Sequence, residues 1–495
     1  MHDLNKLFIV SITGKLLTLA LFAVIARVLP AEHLAYVALI PVLAPVLLSL
    51  SSFGIATLLE RDVPQFLAIS PKEAYALMRA GYVIQIFSIL LVLSFGYFFV
   101  STWAPIVLSE YDYTPNTIAW MLAPLACYML VKVTGAMLML EGKAAKYGML
   151  TIYGDISAKA AVLGLYLFNP TDLSIFIGLV IGQLPFVAYG VWSQRAWLCR
   201  LQCSPLTKLL YRSLPFYIEG NFNQARNHGD SLLVSSLLGP VAMAGYYIAK
   251  MVANQLSVFF NPISSFMVHH LSFQKGKDLA AMEAAFKQVW HLSIPIFIWL
   301  ACAVAAITPL LIQLIAGEQY IYVWPAAFIL CLVACGRALY SFSGRILLLI
   351  GNAFERFRIT IIQVLIITIL ISILTPLISV NGVAISWLVG VLSSLYLVKI
   401  RSIQLDFDWP SLKVFNRTLL LTLLGPFLSL GSYFYYESLL ILMMVAIPMI
   451  ILTLWFVLYD QSKYEYEQML LVLPKKLKPF YIYLKNKNKK NLINV

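Results

Sequence analysis

The sequence predicts an all-α polytopic membrane protein with about 14 transmembrane helices, and three observations carry that prediction. Of its 495 residues, 61% are hydrophobic and 12% charged, against the roughly 45–50% apolar content of an average soluble chain. Apolar runs of the ~20 residues needed to cross a bilayer recur along the whole length. The connections between them alternate in charge: 27 Lys and Arg fall on one side, and the opposite loops carry acids and no Lys or Arg. This composition excludes an ordinary soluble enzyme, a disordered protein and a nucleic-acid-binding domain.

Hydropathy, interrupted by charged, Pro or Gly breaks, places the spans near 7–29, 34–60, 81–108, 116–140, 149–168, 173–192, 214–238, 243–268, 291–316, 321–350, 359–380, 381–400, 418–434 and 438–459. Only helices and closed barrels satisfy their backbone hydrogen bonds in lipid, and runs of this length are helical. The basic loops, from Lys6 through Arg61, Lys143, Arg195, Lys275, Arg356 and Lys399 to the lysine-rich tail, read as cytoplasmic. Both termini are then cytoplasmic by the positive-inside rule. The segments 61–80, 193–213 and 269–290 are amphipathic and read as interfacial helices.

No outer loop is long enough to hold a polymer acceptor and catalytic acids. Cys127, Cys199, Cys203, Cys302, Cys331 and Cys335 form no CxxC pair and no Cys/His ligand spacing, and read as packing residues. No metal, cofactor or covalent chemistry is expected, and the chain is not expected to be an enzyme.

An internal repeat organises the chain. Pro30 and Tyr36 recur as Pro240 and Tyr246, and Leu140-Glu141-Gly142-Lys143 is matched by Ile350-Gly351-Asn352 at nearly the same offset. The expected division is a six-helix lobe over 1–193, a basic cytoplasmic linker at 194–213, a second six-helix lobe over 214–400, an extra helix pair at 401–459 and a basic tail at 460–495.

Charges within the spans carry the functional signal, because each costs at least ~2.5–3.5 kcal/mol at mid-bilayer and needs a partner, water or a task. The basic ones are Lys15, Arg27, Lys132, Lys159, Arg226, Lys250, Arg337 and Arg345, against Asp155, Glu219 and Asp230. Asp155 and Lys159 stand four apart, as a ready ion pair. Arg345 can snorkel to the nearby interface. Lys15 and Arg337 have no acid within a helical turn, which suits them to water or an anion. Glu219, Asn223, Arg226 or Asn227, and Asp230 form one polar stripe, and Ser11, Lys15 and Thr18 form another on the first helix. Two such stripes predict a hydrated cavity that suits an anionic substrate, with Lys15, Arg27, Arg226, Lys250 and Arg337 as its cationic contacts. Ser11, Thr18, Asn223, Asn227 and His228 would line it. Glu219 and Asp230 are candidates for ion coupling: protonation or cation binding at Asp230 would release Arg226, four residues away.

The run Ala26-Arg27-Val28-Leu29-Pro30, followed by Glu32 and Tyr36, resembles the "ARxLGPxxxGxY" turn of polysaccharide-biosynthesis flippases. Leu238-Gly239-Pro240 through Gly245-Tyr246 repeats it. The first copy has Leu29 where the pattern has glycine. These flippases belong to the multidrug/oligosaccharidyl-lipid/polysaccharide exporter superfamily. The resemblance implies a V-shaped, MATE-like pair of lobes around a central cavity and alternating access in the bacterial inner membrane. It implies as substrate an oligosaccharide on undecaprenyl pyrophosphate, such as an O-antigen or capsule repeat unit. Membrane lipids, H+ or Na+ as coupling ion and a polysaccharide polymerase with chain-length machinery are the implied partners. A cation-coupled multidrug exporter and a lipid II flippase share that architecture. A membrane polymerase or glycosyltransferase is the reading from another class, and the short outer loops oppose it.

Overall fold

The computed structural model describes residues 2–59, 62–63, 70–108, 111, 115–141, 143–195, 206–257, 260, 279–350, 353–405, 407, 409 and scattered positions between 446 and 453. Among them the regular elements are all helical: α1 (His2–Val28), α2 (Ala31–Ser52), α3 (Pro71–Phe98), α4 (Val100–Val107), α5 (Pro115–Leu140), α6 (Ala144–Phe168), α7 (Asp172–Ser193), α8 (Leu206–Asn254), α9 (Leu279–Ala306), α10 (Thr308–Ala316), a 3-10 turn (Glu318–Val323), α11 (Trp324–Ile350) and α12 (Ala353–Gln404).

The expectation of about 14 transmembrane helices in two six-helix lobes is corrected. Among the described residues eight segments are long and apolar enough to cross a membrane. The difference has identifiable causes. Two expected spans are joined in α8 and two in α12, each element folding back on itself at a local break with no intervening loop, as the Lys250–Asp230 and Arg401–Glu355 bonds between its arms show. The expected span 291–316 is divided between α9 and α10. Neither α1 nor α6 is among the eight; α6 carries Lys146, Asp155 and Lys159 along its length. The expected spans 418–434 and 438–459 lie wholly or largely outside the described residues, as does the basic tail. Two compact units result, one of residues 1–261 with 308–401 and one of 262–307 with 402–495, which is not a pair of six-helix lobes.

The two copies of the repeated turn both lie at helix breaks. Pro30, with φ −56° and ψ 155°, separates α1 from α2. Gly239 breaks α8 with φ 81°, a left-handed conformation that glycine adopts without a Cβ penalty. Leu29 in the first copy is not among the positive-φ residues, so that turn does not need the missing glycine. Both tyrosines are buried: Tyr36 packs on the rings of Tyr111 and Phe176, and Tyr246 is fully enclosed. The second break, in α12, falls at Ile378 and Ser379, where Gly382 comes so close to the backbone of Leu374 and Thr375 that a Cβ would clash.

Small residues set the tightest helix contacts in the first unit. Gly178 and Gly182 of α7 present a small-xxx-small face to α6, and a Cβ on Gly182 would lie 2.5 Å from Ala158 Cα and Ser157 O. Such faces let backbones approach where lipid supplies no hydrophobic drive. Thr171 caps α7, its Oγ1 accepting from Ser174 N–H at 3.3 Å. In the second unit Phe286, Trp290, Phe407 and Trp409 form an aromatic cluster, and Trp299 Nε1 donates to Thr453 Oγ1 at 3.2 Å.

Candidate functional site

The polar residues expected to share one cavity are divided, within the first unit, between two cavities of about 470 Å³ each. The first lies among α1, α5, α6, α7 and α8, and its wall includes Lys15, Thr18, Lys132, Asp155, Lys159 and Gln183. The second lies among α8, α11 and α12, and its wall includes Arg226, Asn227, His228, Lys250, Arg337 and Arg356. Asn254 and Ser257 line both. We call them the lysine cavity and the arginine cavity.

Of the expected stripe on α8, Arg226 and Asn227 line the arginine cavity, whereas Glu219, Asn223 and Asp230 do not. Arg226 does not pair with Asp230, however. Its Nη2 donates to Asn223 Oδ1 at 2.5 Å and its guanidinium lies over the Tyr340 ring, 5.2 Å from the centroid. Asp230 is taken by Lys250, which arrives from beyond the Gly239–Pro240 break with its Nζ 2.7 Å from Oδ1 and 2.8 Å from Oδ2. Tyr246 OH donates to Asp230 Oδ2 at 2.7 Å, and Lys250 also reaches Ser231 Oγ at 2.9 Å and Asn227 O at 3.0 Å. Lys250 on both oxygens, Tyr246 OH on Oδ2 and Ser231 Oγ on Oδ1 at 3.3 Å together occupy the acceptor sites of this carboxylate. The proposed release of Arg226 from Asp230 therefore has no contact to break in this conformation.

Arg337 Nη2 donates to Asn227 Oδ1 at 2.6 Å, and its guanidinium stacks over the Trp387 ring at 5.2 Å. Arg356 completes the wall. Among the described residues no acid lines this cavity, and none of the three guanidiniums is paired to a carboxylate. Neutral partners hold Arg226 and Arg337 in place and leave their charge uncompensated. His228 and Gln363 also line this cavity, and His228 Nδ1 and Gln363 Oε1 are buried without a hydrogen-bond partner.

The other expected residues are placed elsewhere. Lys15 and Thr18 line the lysine cavity. Asp155 and Lys159 form the anticipated pair at 2.5 Å. Glu219 is exposed and lines neither cavity. The side chain of Ser11 lies outside the described residues. Arg27 lines neither cavity either: its Nη2 donates to the carbonyls of Leu314 (2.5 Å) and Gln313 (3.4 Å) at the end of α10. Gln319 Nε2 donates in return to Ala26 O near the end of α1, at 3.3 Å. These contacts satisfy carbonyls that a helix C-terminus leaves open, and the cation suits the negative end of the α10 dipole.

Sequence reasoning missed Arg356, which it counted among cytoplasmic loop charges, and the rings of Tyr340 and Trp387. Gln363, an isolated amide in the run Ile359 to Leu370, was a legible signal, since a buried amide in an apolar helix needs a partner. Among the described residues no group of three or more His, Cys, Asp or Glu side chains could hold a metal ion.

No protein-family model matches the chain, and no curated protein matches it in sequence. Solved structures of the same fold are found. The structure described as lipid II flippase MurJ in an inward closed conformation is 14% identical, covers 92% of this chain and 99% of its own, and superposes with a TM-score of 0.70. A multidrug resistance MATE family transporter of the MOP superfamily, in its inward-facing conformation, is 14% identical over 80% of this chain and 95% of its own, with a TM-score of 0.62. A MOP superfamily transporter from Pyrococcus furiosus, described as having a binding pocket of reverse polarity that suggests a different function, is 13% identical over 82% and 96%, with a TM-score of 0.53. At these identities the likeness is one of fold.

Proposed function

We propose that this multi-pass membrane protein is a transporter of lipid-linked saccharides, moving a sugar unit on a polyprenyl pyrophosphate from one leaflet to the other by alternating access. The observation that carries the reading is the arginine cavity, where Arg226, Arg337 and Arg356 meet with no acid among the described residues of the wall. A pyrophosphate presents several anionic oxygens in a small volume, which suits guanidinium forks that bind bidentately. Lys250 contributes little to that attraction, because Asp230 neutralises it. The lipid tail stays in the bilayer and only the headgroup enters the protein, so no covalent step is involved.

The solved structures of this fold include a lipid II flippase and multidrug exporters. Lipid II is itself a polyprenyl-pyrophosphate saccharide and falls within the proposed class, as do O-antigen and capsule repeat units. A cationic drug would require acids where this cavity has arginines, which opposes the exporter reading. The test is reconstitution of the full chain in liposomes carrying an undecaprenyl-pyrophosphate disaccharide, with headgroup access to a sugar-modifying enzyme added outside. Exchange of the inner pool with the protein, and none with Arg337→Gln, is expected. Movement of a cationic dye without movement of the disaccharide would favour the exporter.

A further inference from the structure

The lysine cavity is not needed to hold a pyrophosphate in the arginine cavity, yet it carries its own surplus of positive charge. Its wall holds Lys15, Lys132 and Lys159 against Asp155 alone. Lys159 and Asp155 neutralise one another at 2.5 Å. Lys15 and Lys132 have no carboxylate within 4.0 Å among the described residues, and Lys132 is set over the face of the Tyr128 ring at 5.3 Å. Lys15 is exposed and Lys132 half-buried along the cavity, and ammonium groups within helices that cross a membrane call for water or an anion beside them.

A second group in the wall narrows the ligand. Gln183 is 4% exposed, and its Oε1 is buried with no hydrogen-bond partner. An amide oxygen accepts only, so its missing partner is a donor. A bare carboxylate or a fully ionised phosphate has none to give, whereas a sugar hydroxyl does. The cavity thus asks for an anion and a hydroxyl donor together. Its volume of about 470 Å³ lies within the range of pockets that enclose small molecules. Asn254 and Ser257 line both cavities, so the two walls meet and one headgroup can span them.

We propose that the lysine cavity is a second anion site, in which Lys15 and Lys132 hold the carboxylate or phosphate of an acidic sugar while Gln183 accepts from one of that sugar's hydroxyls. The proposal rests on the lipid-linked saccharide reading and makes the preferred substrate an acidic saccharide.

The experiment measures binding of two undecaprenyl-pyrophosphate disaccharides to the purified full chain, one ending in glucuronate and the other in glucose. The glucuronate form is expected to bind about tenfold tighter, the scale of one charge-assisted hydrogen bond. That ratio should fall to about one in Lys15→Met and Lys132→Met and persist in Lys15→Arg and Lys132→Arg, which guard against loss of folding. Equal affinities in the parent chain, or a ratio that survives both methionine changes, would overturn the second site while leaving the arginine cavity intact. Binding of neither disaccharide would overturn the transport reading and this one together. Sodium glucuronate and inorganic phosphate serve as competitors. If either free anion binds in a Lys15- and Lys132-dependent way and the glucuronate disaccharide shows no preference, the site serves a free anion and the acidic-sugar assignment fails.

Discussion

Lys250 and Asp230 face each other across the Gly239–Pro240 break of α8, Nζ to Oδ1 at 2.7 Å, with both side chains at least nine-tenths buried. The pair ties the two arms of the helix together behind Lys250, which lines the arginine cavity. Removing one partner of such a pair leaves an uncompensated buried charge, which costs about 3–5 kcal/mol. Asp230→Asn and Lys250→Met should each destabilise the chain on that scale. The double variant should lose markedly less than the sum of the two, since it leaves no lone charge. Denaturation midpoints in detergent for the three variants measure this, and additive losses would show the two side chains to be uncoupled.

Arg27 holds the end of α1 to the end of α10 through the Leu314 and Gln313 carbonyls, while Gln319 returns a bond to Ala26 O. If these bonds hold the α1–α10 joint closed, Arg27→Gln should increase its exposure. A cysteine placed at Ala26, which is fully buried, should be protected from a membrane-impermeant maleimide and become labelled in the Arg27→Gln background. Unchanged labelling would mean that the contact is not a gate.

Gly54 takes φ 73°, and a Cβ there would meet Ser213 O and Tyr217 N at 2.4 Å. Both atoms are backbone, so a side chain cannot be accommodated by a rotamer change. Nearby, Arg212 Nη2 bonds Asp62 Oδ2 at 2.7 Å and Phe53 stacks on Tyr217. Gly54→Ala should cost about 1–3 kcal/mol from left-handed strain and overpacking together. Arg212→Lys, which keeps a cation beside the buried Asp62 carboxylate, should cost well under half of that. Unfolding measurements that ranked the two in reverse would place the weight of this contact on the ion pair instead.

Gly182 lies against the backbone of α6 at Ser157 and Ala158. Gly182→Leu should push α7 from α6 and disturb Lys159 and Gln183, which project from these two helices into the lysine cavity. Gly164, which has open space around it, is the control: Gly164→Ala should be neutral or slightly stabilising in a helix. Comparing the melting temperatures of the two variants checks the pair.

Membrane class and the Asp155–Lys159 pair were legible in the sequence because each depends on local composition or on one helical turn. Gly239 and Pro240 announced the break in α8 through their own backbone preferences. What escaped depends on how helix faces are turned toward one another. Lys15 and Arg226 lie on similar stripes of helices thought equivalent, yet they open into different cavities. Asp230 had Arg226 at the favourable four-residue spacing, and lost it to Lys250 because a chain reversal at Gly239 brought a better-placed ammonium. Span counting and the structure part where two expected spans are joined by a break with no loop: the arms of α12 fold back so that Arg401 Nε meets Glu355 Oε2 at 2.8 Å, and the helix resumes directly beyond Ile378 and Ser379.

The central claim is that the uncompensated arginines of the α8–α11–α12 cavity bind a pyrophosphate, and the affinity of the purified full chain for undecaprenyl pyrophosphate tests it most directly. Arg337→Gln should weaken that affinity by about ten- to a hundredfold, the scale of a lost charge-assisted hydrogen bond, while Arg337→Lys, which keeps the charge without the fork, should fall between. Equal affinity in the parent chain and Arg337→Gln, with both proteins folded, would contradict the account.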